Sequence, residues 1–320
     1  MQDKYDYLVT GGAGFIGSHL CELLLSRGKS VLVLDNLSTG SLSNIALCSE
    51  NPGFRFEKGS VIDESLVKEL VYKCGKVIHL AAAVGVEKII REPVETIETN
   101  VMGTANVLMS ANSYGTPVFI TSTSEVYGKS EKVPFREDGD IVLGATSRSR
   151  WSYACSKATD EFLALAYWKA KGLPVVIGRL FNTVGPRQSG RYGMVLPRFI
   201  EQAVNSRPIT VFGDGKQTRC FSLVDEIADA VVSLVENADA AGRVVNIGST
   251  QEVSIENLAQ RVKKISGSDS EIVFIPYNEA YPEDFEDMQR RVPEVSLLRE
   301  LTGKTPEAGI DTIIRKILDT

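Results

Sequence analysis

The stretch TGGAGFIG at residues 10–17 decides the fold class of this chain. It follows a short apolar run, Tyr7 to Thr10, and it opens an apolar helical pattern, Ile16 to Arg27. Small residues in such a loop permit a tight turn and let the backbone approach a pyrophosphate, and the next helix offers N–H groups and its positive dipole end. This context predicts a strand–loop–helix unit that binds a dinucleotide through Gly11, Gly14, Phe15, Ile16 and Gly17.

An acidic residue ends the next apolar run. Asp35 comes about 20 residues after the loop, the usual distance for a carboxylate that binds a ribose 2′-hydroxyl. Its charge would repel a 2′-phosphate, and the residues just after it contain no arginine to accept one. The sequence therefore favours NAD over NADP, with cofactor contacts continuing through Asn36, Ser38, Thr39 and Gly40.

Short apolar runs alternate with longer helical patterns in the first half of the chain. The runs that we interpret as strands are Tyr7 to Thr10, Val31 to Leu34, Val77 to Leu80, Val118 to Thr121 and Val175 to Arg179. The helical patterns between them are Ile16 to Arg27, Leu66 to Val71, Val94 to Tyr114 and Ala154 to Lys171. Nearly continuous apolar runs are typical of strands covered on both faces. We therefore expect an α/β fold, a doubly wound Rossmann-type parallel sheet with right-handed crossovers.

The pattern loosens after Arg179. A loop rich in glycine, proline and arginine is followed by shorter helices and isolated strands, which predicts a smaller α/β C-terminal substrate lobe. We place the Rossmann domain at residues 1–180 and the lobe at 181–320. Residues 221–249 are expected to cross back to the first domain, with Val244 to Ile247 as a strand that joins the main sheet.

Composition excludes several classes of protein. The chain has 320 residues with a net charge of −6, which argues against nucleic-acid binding. Its five scattered cysteines lack metal-ligand spacing and indicate reduced thiols in a cytoplasmic protein, and two histidines are too few for a histidine-rich metal site. No apolar run approaches the roughly 20 residues that span a bilayer, and no signal-peptide pattern is present.

A tyrosine and a lysine in RWSYACSK carry the candidate chemistry. Tyr153 and Lys157 are four residues apart, so on a helix they share one face. An ammonium beside a phenol favours the phenolate, so we expect the lysine to lower the pKa of Tyr153 from about 10. A phenolate there would accept a hydroxyl proton, and the nearby dinucleotide loop then suggests alcohol oxidation. An ordinary amphipathic helix can carry the same spacing by chance.

Several motifs in a fixed order resemble the extended short-chain dehydrogenase/reductase family, in its nucleotide-sugar epimerase, dehydratase and decarboxylase branch. They are TGGAGFIG, DNLSTG, HLAAA, TNVMGT, STSEVYG, YACSK, RLFNTVGPR, GDGKQTRCF and RRVPE, and they extend over nearly the whole chain. The resemblance implies that NAD oxidises C4 of a sugar while Tyr153 takes the hydroxyl proton. Lys157 would bind the nicotinamide ribose and Thr123 the sugar hydroxyl. A homodimer is also implied, and the remaining cofactor contacts would come from Leu80, Ala81, Ala82 and Asn100.

The fate of the 4-keto sugar separates the members of this branch. Ser124 and Glu125, together with Arg150 one helical turn before Tyr153, resemble UDP-glucuronate decarboxylases and UDP-apiose/UDP-xylose synthases. The favoured substrate is therefore UDP-glucuronate and the product a UDP-pentose. A UDP-hexose or UDP-uronate 4-epimerase is the main alternative, and a GDP-mannose-type 4,6-dehydratase is the third. The residues that would bind the nucleotide diphosphate and its base are Asn182, Arg187, Val211, Arg219 and Arg291.

Overall fold

The computed structural model describes residues 4–83, 91–190, 194–276, 279, 288 and 290–319. The strands of this part of the chain are β1 (Tyr5–Thr10), β2 (Val31–Asp35), β3 (Phe54–Lys58), β4 (Cys74–His79), β5 (Val118–Thr123), β6 (Val175–Leu180), β7 (Thr183–Val184), β8 (Ile209–Phe212), β9 (Thr218–Cys220), β10 (Ser222–Leu223), β11 (Arg243–Ile247), β12 (Glu252–Ser254), β13 (Ile272–Ile275) and β14 (Arg290–Arg291). The helices are α1 (Phe15–Ser26), α2 (Glu64–Tyr72), α3 (Pro93–Tyr114), α4 (Arg150–Lys171), α5 (Val195–Val204), α6 (Val224–Glu236), α7 (Ile255–Ser266), α8 (Ser296–Thr302) and α9 (Ile310–Leu318).

Seven parallel strands form the central sheet, in the order β11-β6-β5-β4-β1-β2-β3. This is the doubly wound arrangement expected from the sequence, and the late strand β11 does join it beside β6. The order of the strands reverses between β1 and β4. In an open parallel sheet such a reversal leaves a crevice outside the carboxyl ends of the strands, where ligands bind.

The two faces of the sheet bury two separate cores, which explains the continuous apolar runs. Tyr7 and Val9 of β1 belong to a core shared with helices α1 and α6. Leu8 belongs to the opposite core, shared with α2, α3 and α4. Because successive side chains of a strand point to opposite faces, both must be apolar when helices cover both.

The second lobe has a core of its own. Helices α5, α7 and α9 pack around Phe199, Val211 and Leu258, and β8 pairs in parallel with β13. A three-stranded sheet, β12-β9-β14, lies beside it. In that sheet Arg291 is the register partner of Arg219, so two arginines lie on adjacent strands. Within the described residues, no helix has the length and apolar character needed to cross a membrane.

Strand β3 was missed by the sequence analysis. It forms the edge of the sheet beside β2, and its sequence FRFEK carries three charged residues. An edge strand is partly solvated, so it lacks the continuous apolar run on which the other strands were recognised. The short strands β8, β9, β10, β12 and β14 also lack a run long enough to be read from the sequence.

Helix α4 is attached to the sheet by a buried ion pair. The guanidinium of Arg179 on β6 donates to Glu161 on α4 through Nε–Oε1 (2.9 Å) and Nη2–Oε2 (2.7 Å), and both side chains are 7% exposed. Ser122 on β5 donates to the same carboxylate. The pair raises the pKa of Arg179 despite the opposing effect of burial. The fork geometry fixes the position of α4 along the two strands that lie beneath it.

Removing one member of this pair should be costly. We expect Arg179→Met to lower the free energy of unfolding by about 3–5 kcal/mol, because the Glu161 carboxylate stays buried without its counter-ion. The double variant Arg179→Met/Glu161→Leu should recover much of that loss. Urea unfolding followed by circular dichroism measures both. A double variant no more stable than the single one would contradict this account of the pair.

Candidate active site

A cavity of about 400 Å³ opens at the carboxyl ends of the central strands, on the crevice between β1 and β4. Its lining includes the dinucleotide loop, the ends of β2, β4 and β5, and residues of α4 and the second lobe. Of the predicted cofactor residues, those that line it are Gly11, Gly14, Phe15, Ile16, Gly17, Asp35, Asn36, Ser38, Thr39, Leu80, Ala81, Ala82, Tyr153 and Lys157. Gly40 and Asn100 are not part of this lining.

The glycine loop is as tight as its sequence suggests. Gly11 has a φ of +73°, and a Cβ there would meet the backbone nitrogen of Ala81 at 2.8 Å. A Cβ on Gly17 would meet the carbonyl oxygen of Gly11 at 2.2 Å. Larger residues are therefore excluded at both positions, and the backbone at the start of α1 remains accessible to a ligand. This cradle fits the pyrophosphate of a dinucleotide.

Asp35 ends β2 and closes the loop from the other side. Its Oδ2 accepts from the backbone N–H of Ala13 (3.0 Å), and its Oδ1 accepts from that of Leu37 (2.8 Å). Burial raises the pKa of this carboxyl, and the two backbone hydrogen bonds lower it. The side chain is 7% exposed and lines the cavity, so its carboxylate is available to a ribose hydroxyl.

Asn100 supports the cavity wall from within α3. Its Oδ1 accepts from the backbone N–H of Ala83 (2.8 Å), and its Nδ2 donates to Ser156 on α4 (3.1 Å). The residue is fully buried. The asparagine therefore joins the loop after β4 to the helix that carries Tyr153, instead of facing the cavity itself.

Tyr153 and Lys157 both line the cavity from α4, one helical turn apart. Burial raises the pKa of the Tyr153 phenol, the charge of Glu125 raises it further, and a hydrogen bond with Thr123 lowers it. Lys157 Nζ donates to Asp160 Oδ2 (2.7 Å), and the carboxylate raises the tyrosine pKa as well. The expectation of a lowered tyrosine pKa is therefore wrong for the protein alone, because burial dominates and the charges of Glu125 and Asp160 act in the same direction.

Glu125 and Arg291 form a charged pair in the cavity. Arg291 Nη1 lies 2.6 Å from Glu125 Oε1, with the arginine 8% and the glutamate 21% exposed. Thr123 Oγ1 accepts from the backbone N–H of Glu125 (3.2 Å), which fixes the turn after β5. The Nε atom of Arg291 is buried and has no hydrogen-bond partner among the described residues. This donor is available to an anionic ligand.

The other predicted substrate residues divide into two groups. Asn182 lines the cavity and donates from Nδ2 to the carbonyl of Cys220 (3.0 Å). Arg219 is buried on β9, where Nη1 donates to the Thr218 carbonyl, and it is absent from the described lining. Its place beside Arg291 in the sheet nevertheless brings two guanidinium groups to one region.

Arg187 and Val211 lie elsewhere. Arg187 is engaged by Glu22 through two nitrogen–oxygen contacts of 2.8 Å, so it ties the second half of the chain to α1 instead of lining the cavity. The side chain of Val211 is fully buried in the core of the second lobe, and the contact of its backbone with the base, which the family resemblance implies, stays a prediction. Helix α4 begins at Arg150, whose side chain lies outside the described part of the structure.

Several lining residues were missed by the sequence analysis, among them Thr99, Thr121, Thr183, Gln188 and Met194. Three of these carry a buried oxygen without a hydrogen-bond partner among the described residues: Thr121 Oγ1, Thr183 Oγ1 and Gln188 Oε1. The motif FNTVGPRQ contains two of them, Thr183 and Gln188, but the sequence analysis assigned a role only to its asparagine and arginine. Unsatisfied polar atoms on a cavity wall fit a polar ligand that supplies their partners. No group of three or more candidate metal ligands occurs in the described ranges.

Comparison with known proteins agrees with this geometry. A relative from Bacillus cytotoxicus, a UDP-N-acetyl-alpha-D-glucosaminuronate decarboxylase, is 43% identical over 94% of this chain and 93% of its own length. UDP-glucuronic acid decarboxylase 1 of Arabidopsis thaliana is 38% identical over 95% of this chain and 66% of its own length. The crystal structure of a Bacillus cereus UDP-glucuronic acid 4-epimerase with UDP-glucuronic acid and NAD superposes with a TM-score of 0.88, at 28% identity and 98% coverage of both chains.

The family model described as "GDP-mannose 4,6 dehydratase" matches residues 8–317, almost the whole chain. The relatives include decarboxylases and an epimerase, so the match identifies the family without choosing a reaction. The chain therefore belongs to the GDP-mannose 4,6 dehydratase family of extended short-chain dehydrogenases/reductases, as the order of its sequence motifs indicated.

Proposed function

We propose that this enzyme uses NAD to oxidise C4 of a UDP-linked uronic acid and then releases the uronic carboxyl as carbon dioxide, which gives a UDP-pentose. The observation that carries the proposal is the Glu125–Arg291 pair, which lies in the same cavity as Tyr153 and Lys157. The names of relatives such as the Bacillus cytotoxicus decarboxylase support it. Because a 43% identical relative acts on an N-acetylated uronate, the sugar carries either a hydroxyl or an acetamido group at C2.

The dinucleotide cradle and Asp35 would hold NAD, and its preference over NADP follows from the charge of that carboxylate. When bound, NAD supplies the hydride acceptor for the oxidation of C4 and the donor for its later reduction. A positively charged nicotinamide beside Tyr153 would also offset the burial that raises the pKa of its phenol. Two solved neighbours, the Bacillus cereus epimerase and a Thermus thermophilus UDP-glucose 4-epimerase, contain NAD.

Tyr153 takes the proton of the sugar C4 hydroxyl, and Thr123 accepts or donates a hydrogen bond at the same oxygen. The C4 ketone that results is β to the C5 carboxylate. The bond between C5 and the carboxyl carbon then breaks, its electron pair passes to C5 and the ketone oxygen, and carbon dioxide leaves. Tyr153 in its protonated form stabilises the enolate oxygen by a hydrogen bond. A proton is then added at C5, and reduction of the ketone completes the cycle.

Glu125 and Arg291 are the residues placed to act at C5 and at the carboxylate. Arg291 offers a buried Nε donor, and its pairing with Glu125 keeps both side chains in fixed positions. Glu125 is the carboxyl closest along the chain to Thr123, which binds the reacting hydroxyl. We assign Glu125 to proton delivery at C5 and Arg291, with Arg219 behind it, to the anionic part of the substrate.

One assay distinguishes the candidate reactions. We expect incubation with NAD and UDP-glucuronate, or with UDP-N-acetylglucosaminuronate, to release carbon dioxide and give a UDP-pentose or its 2-acetamido counterpart, as followed by ¹H NMR. Tyr153→Phe should abolish turnover of the same substrate. A UDP-uronate epimer without gas release would identify a 4-epimerase instead. If both uronates are inert while GDP-mannose loses water, the decarboxylase proposal is wrong.

Glu125→Gln should separate the steps before protonation at C5 from those after it. The amide keeps the shape of the side chain but cannot deliver a proton, so the enolate left after carbon dioxide release should be protonated more slowly, and steady-state formation of the UDP-pentose should fall about 10²- to 10⁴-fold. Oxidation at C4, measured as NADH absorbance in a single turnover, should persist. The control is Glu131→Gln, the same change at an exposed carboxylate. Equal rates of UDP-pentose formation in Glu125→Gln and wild type would remove Glu125 from the mechanism.

The homodimer implied by the family has a suitable surface. Helices α3 and α4 pack on one another, and their outer faces carry exposed apolar side chains that include Met102 (49%), Met109 (40%) and Phe162 (68%). Apolar surface of this kind is typical of a helix–helix interface between subunits. We infer that the two helices of each subunit pair with those of a second copy.

Charge placed in this surface should disrupt the dimer. We expect Phe162→Glu to give a monomer in size-exclusion chromatography with light scattering, because pairing would bury a carboxylate. Phe274→Glu is the matched control, since Phe274 is also exposed (46%) but lies on β13 in the second lobe. A dimer that persists in Phe162→Glu, or dissociates equally in both variants, would argue against this interface.

A further inference from the structure

A chain of buried hydrogen bonds runs behind the active site from the strand ends to α4. The backbone N–H of Ala81 donates to Thr10 Oγ1 (3.3 Å), which lies 2.7 Å from His79 Nδ1. His79 Nε2 lies 3.1 Å from Thr104 Oγ1 on α3. Thr10 and Thr104 are fully buried, and His79 is 1% exposed. None of these three side chains has a role in the chemistry described above.

We assign one direction to the chain. Thr10 Oγ1 accepts from the backbone N–H of Ala81, and in the assigned tautomer its own hydroxyl donates to His79 Nδ1. The imidazole is neutral, since burial first and the charge of Lys157 second lower its pKa to about 3. A neutral imidazole that accepts at Nδ1 carries its proton on Nε2 and donates it to Thr104. The hydroxyl of Thr104 is then left to donate further.

The carboxyl of Asp160 on α4 lies next to Lys157. Burial raises the pKa of this carboxyl, and the charge and hydrogen bond of Lys157 and a hydrogen bond with Thr104 act in the opposite direction. Its Oδ2 accepts from Lys157 Nζ at 2.7 Å, with Lys157 3% and Asp160 0% exposed. Its Oδ1 has no partner within the described residues. The contact that favours the ionised form of Asp160 is therefore the ammonium of Lys157 itself.

The other acidic groups near Lys157 are paired with arginines instead of the lysine. On α4, Glu161 is bound by Arg179 of β6. From the turn after β5, Glu125 is bound by Arg291 of the second lobe. The imidazole of β4 and the hydroxyl of α3 are neutral. Asp160 is thus the carboxylate within the described residues that directly neutralises the buried ammonium.

We propose that Asp160 is a positioning residue that keeps the Lys157 ammonium charged and aimed into the cavity. The role of Lys157 in the reaction rests on the proposed function. The effect of Asp160 on the charge of Lys157 does not depend on the substrate. The pair couples the charge state of Lys157 to one buried carboxylate on the same helix.

The substitution Asp160→Asn tests this directly, because it removes the charge and keeps the shape. The ammonium would then be buried without a counter-ion, and burial disfavours a charged amine. In protein labelled with [ε-¹³C]lysine, with the Lys157 signal assigned by its loss in Lys157→Met, we expect the signal to titrate about one pH unit or more lower than in wild type. This readout needs no substrate, so its failure is distinct from failure of the proposed reaction.

The rate of turnover gives a second readout. With whichever nucleotide sugar the enzyme accepts, the alkaline limb of the pH–rate profile should move to lower pH in Asp160→Asn by a similar interval, a change that loss of stability alone does not produce. The matched control is Glu161→Gln, an equal loss of charge at the next, equally buried position, which should leave the Lys157 titration in place.

Asp160→Ser serves if the asparagine variant does not fold, since it also removes the charge. An unchanged Lys157 signal in either folded variant would overturn the proposal. An equal displacement in Glu161→Gln would also overturn it, because the effect would then belong to the helix and not to Asp160.

Discussion

The active site depends on how helix α4 is held against the central sheet. Two neighbouring acids of this helix make opposite contacts. Glu161 faces β5 and β6 through Ser122 and Arg179, whereas Asp160 faces Lys157 and the hydroxyl of α3. Because Tyr153 lies on the same helix, these contacts fix its phenol relative to Thr123 at the end of β5. Tyr153 and Lys157 are therefore positioned by buried acids outside the cavity, each paired with a cation.

The cavity combines two kinds of surface. Its floor, formed where β1 and β4 separate, is built from backbone and small side chains that admit a dinucleotide closely. Its opposite wall carries charge, with Glu125 and Arg291 in contact and Arg219 on the adjacent strand. A nucleotide sugar with a uronic carboxylate carries negative charge on its diphosphate and on its sugar, so an arginine with a buried, unused Nε is well suited to it. The first half of the chain thus supplies the dinucleotide loop and Glu125, and the second half supplies the two arginines.

Much of this arrangement could be predicted from the sequence. The glycine loop, Asp35 and the apolar runs are local patterns, and each corresponds to one element of the sheet. Strand β3 could not be recognised, because an edge strand has no apolar run, and the burial of Val211 depends on packing in the second lobe. The spacing of Arg187 gave no sign that Glu22, 165 residues away, would bind it.

The main difference between sequence and structure concerns the pKa of Tyr153, which was expected to be lowered and is raised. Spacing along a helix shows that a lysine lies near the phenol, but it does not show what else the lysine contacts. Asp160 is only three residues from Lys157, but its pairing with the lysine is known only from the folded structure, in which α3 and β4 surround the pair. Burial, which dominates the pKa of the phenol, is likewise a property of the assembled fold.

Asp35 performs two tasks with the same pair of oxygens. Besides facing the cavity, they accept the N–H groups of Ala13 and Leu37, and so they join the glycine loop to the end of the second strand. Engineering that replaces this acid in order to admit a phosphorylated ribose would also release both backbone groups. A switch of cofactor in this scaffold therefore requires a redesigned loop as well as a new side chain at one position.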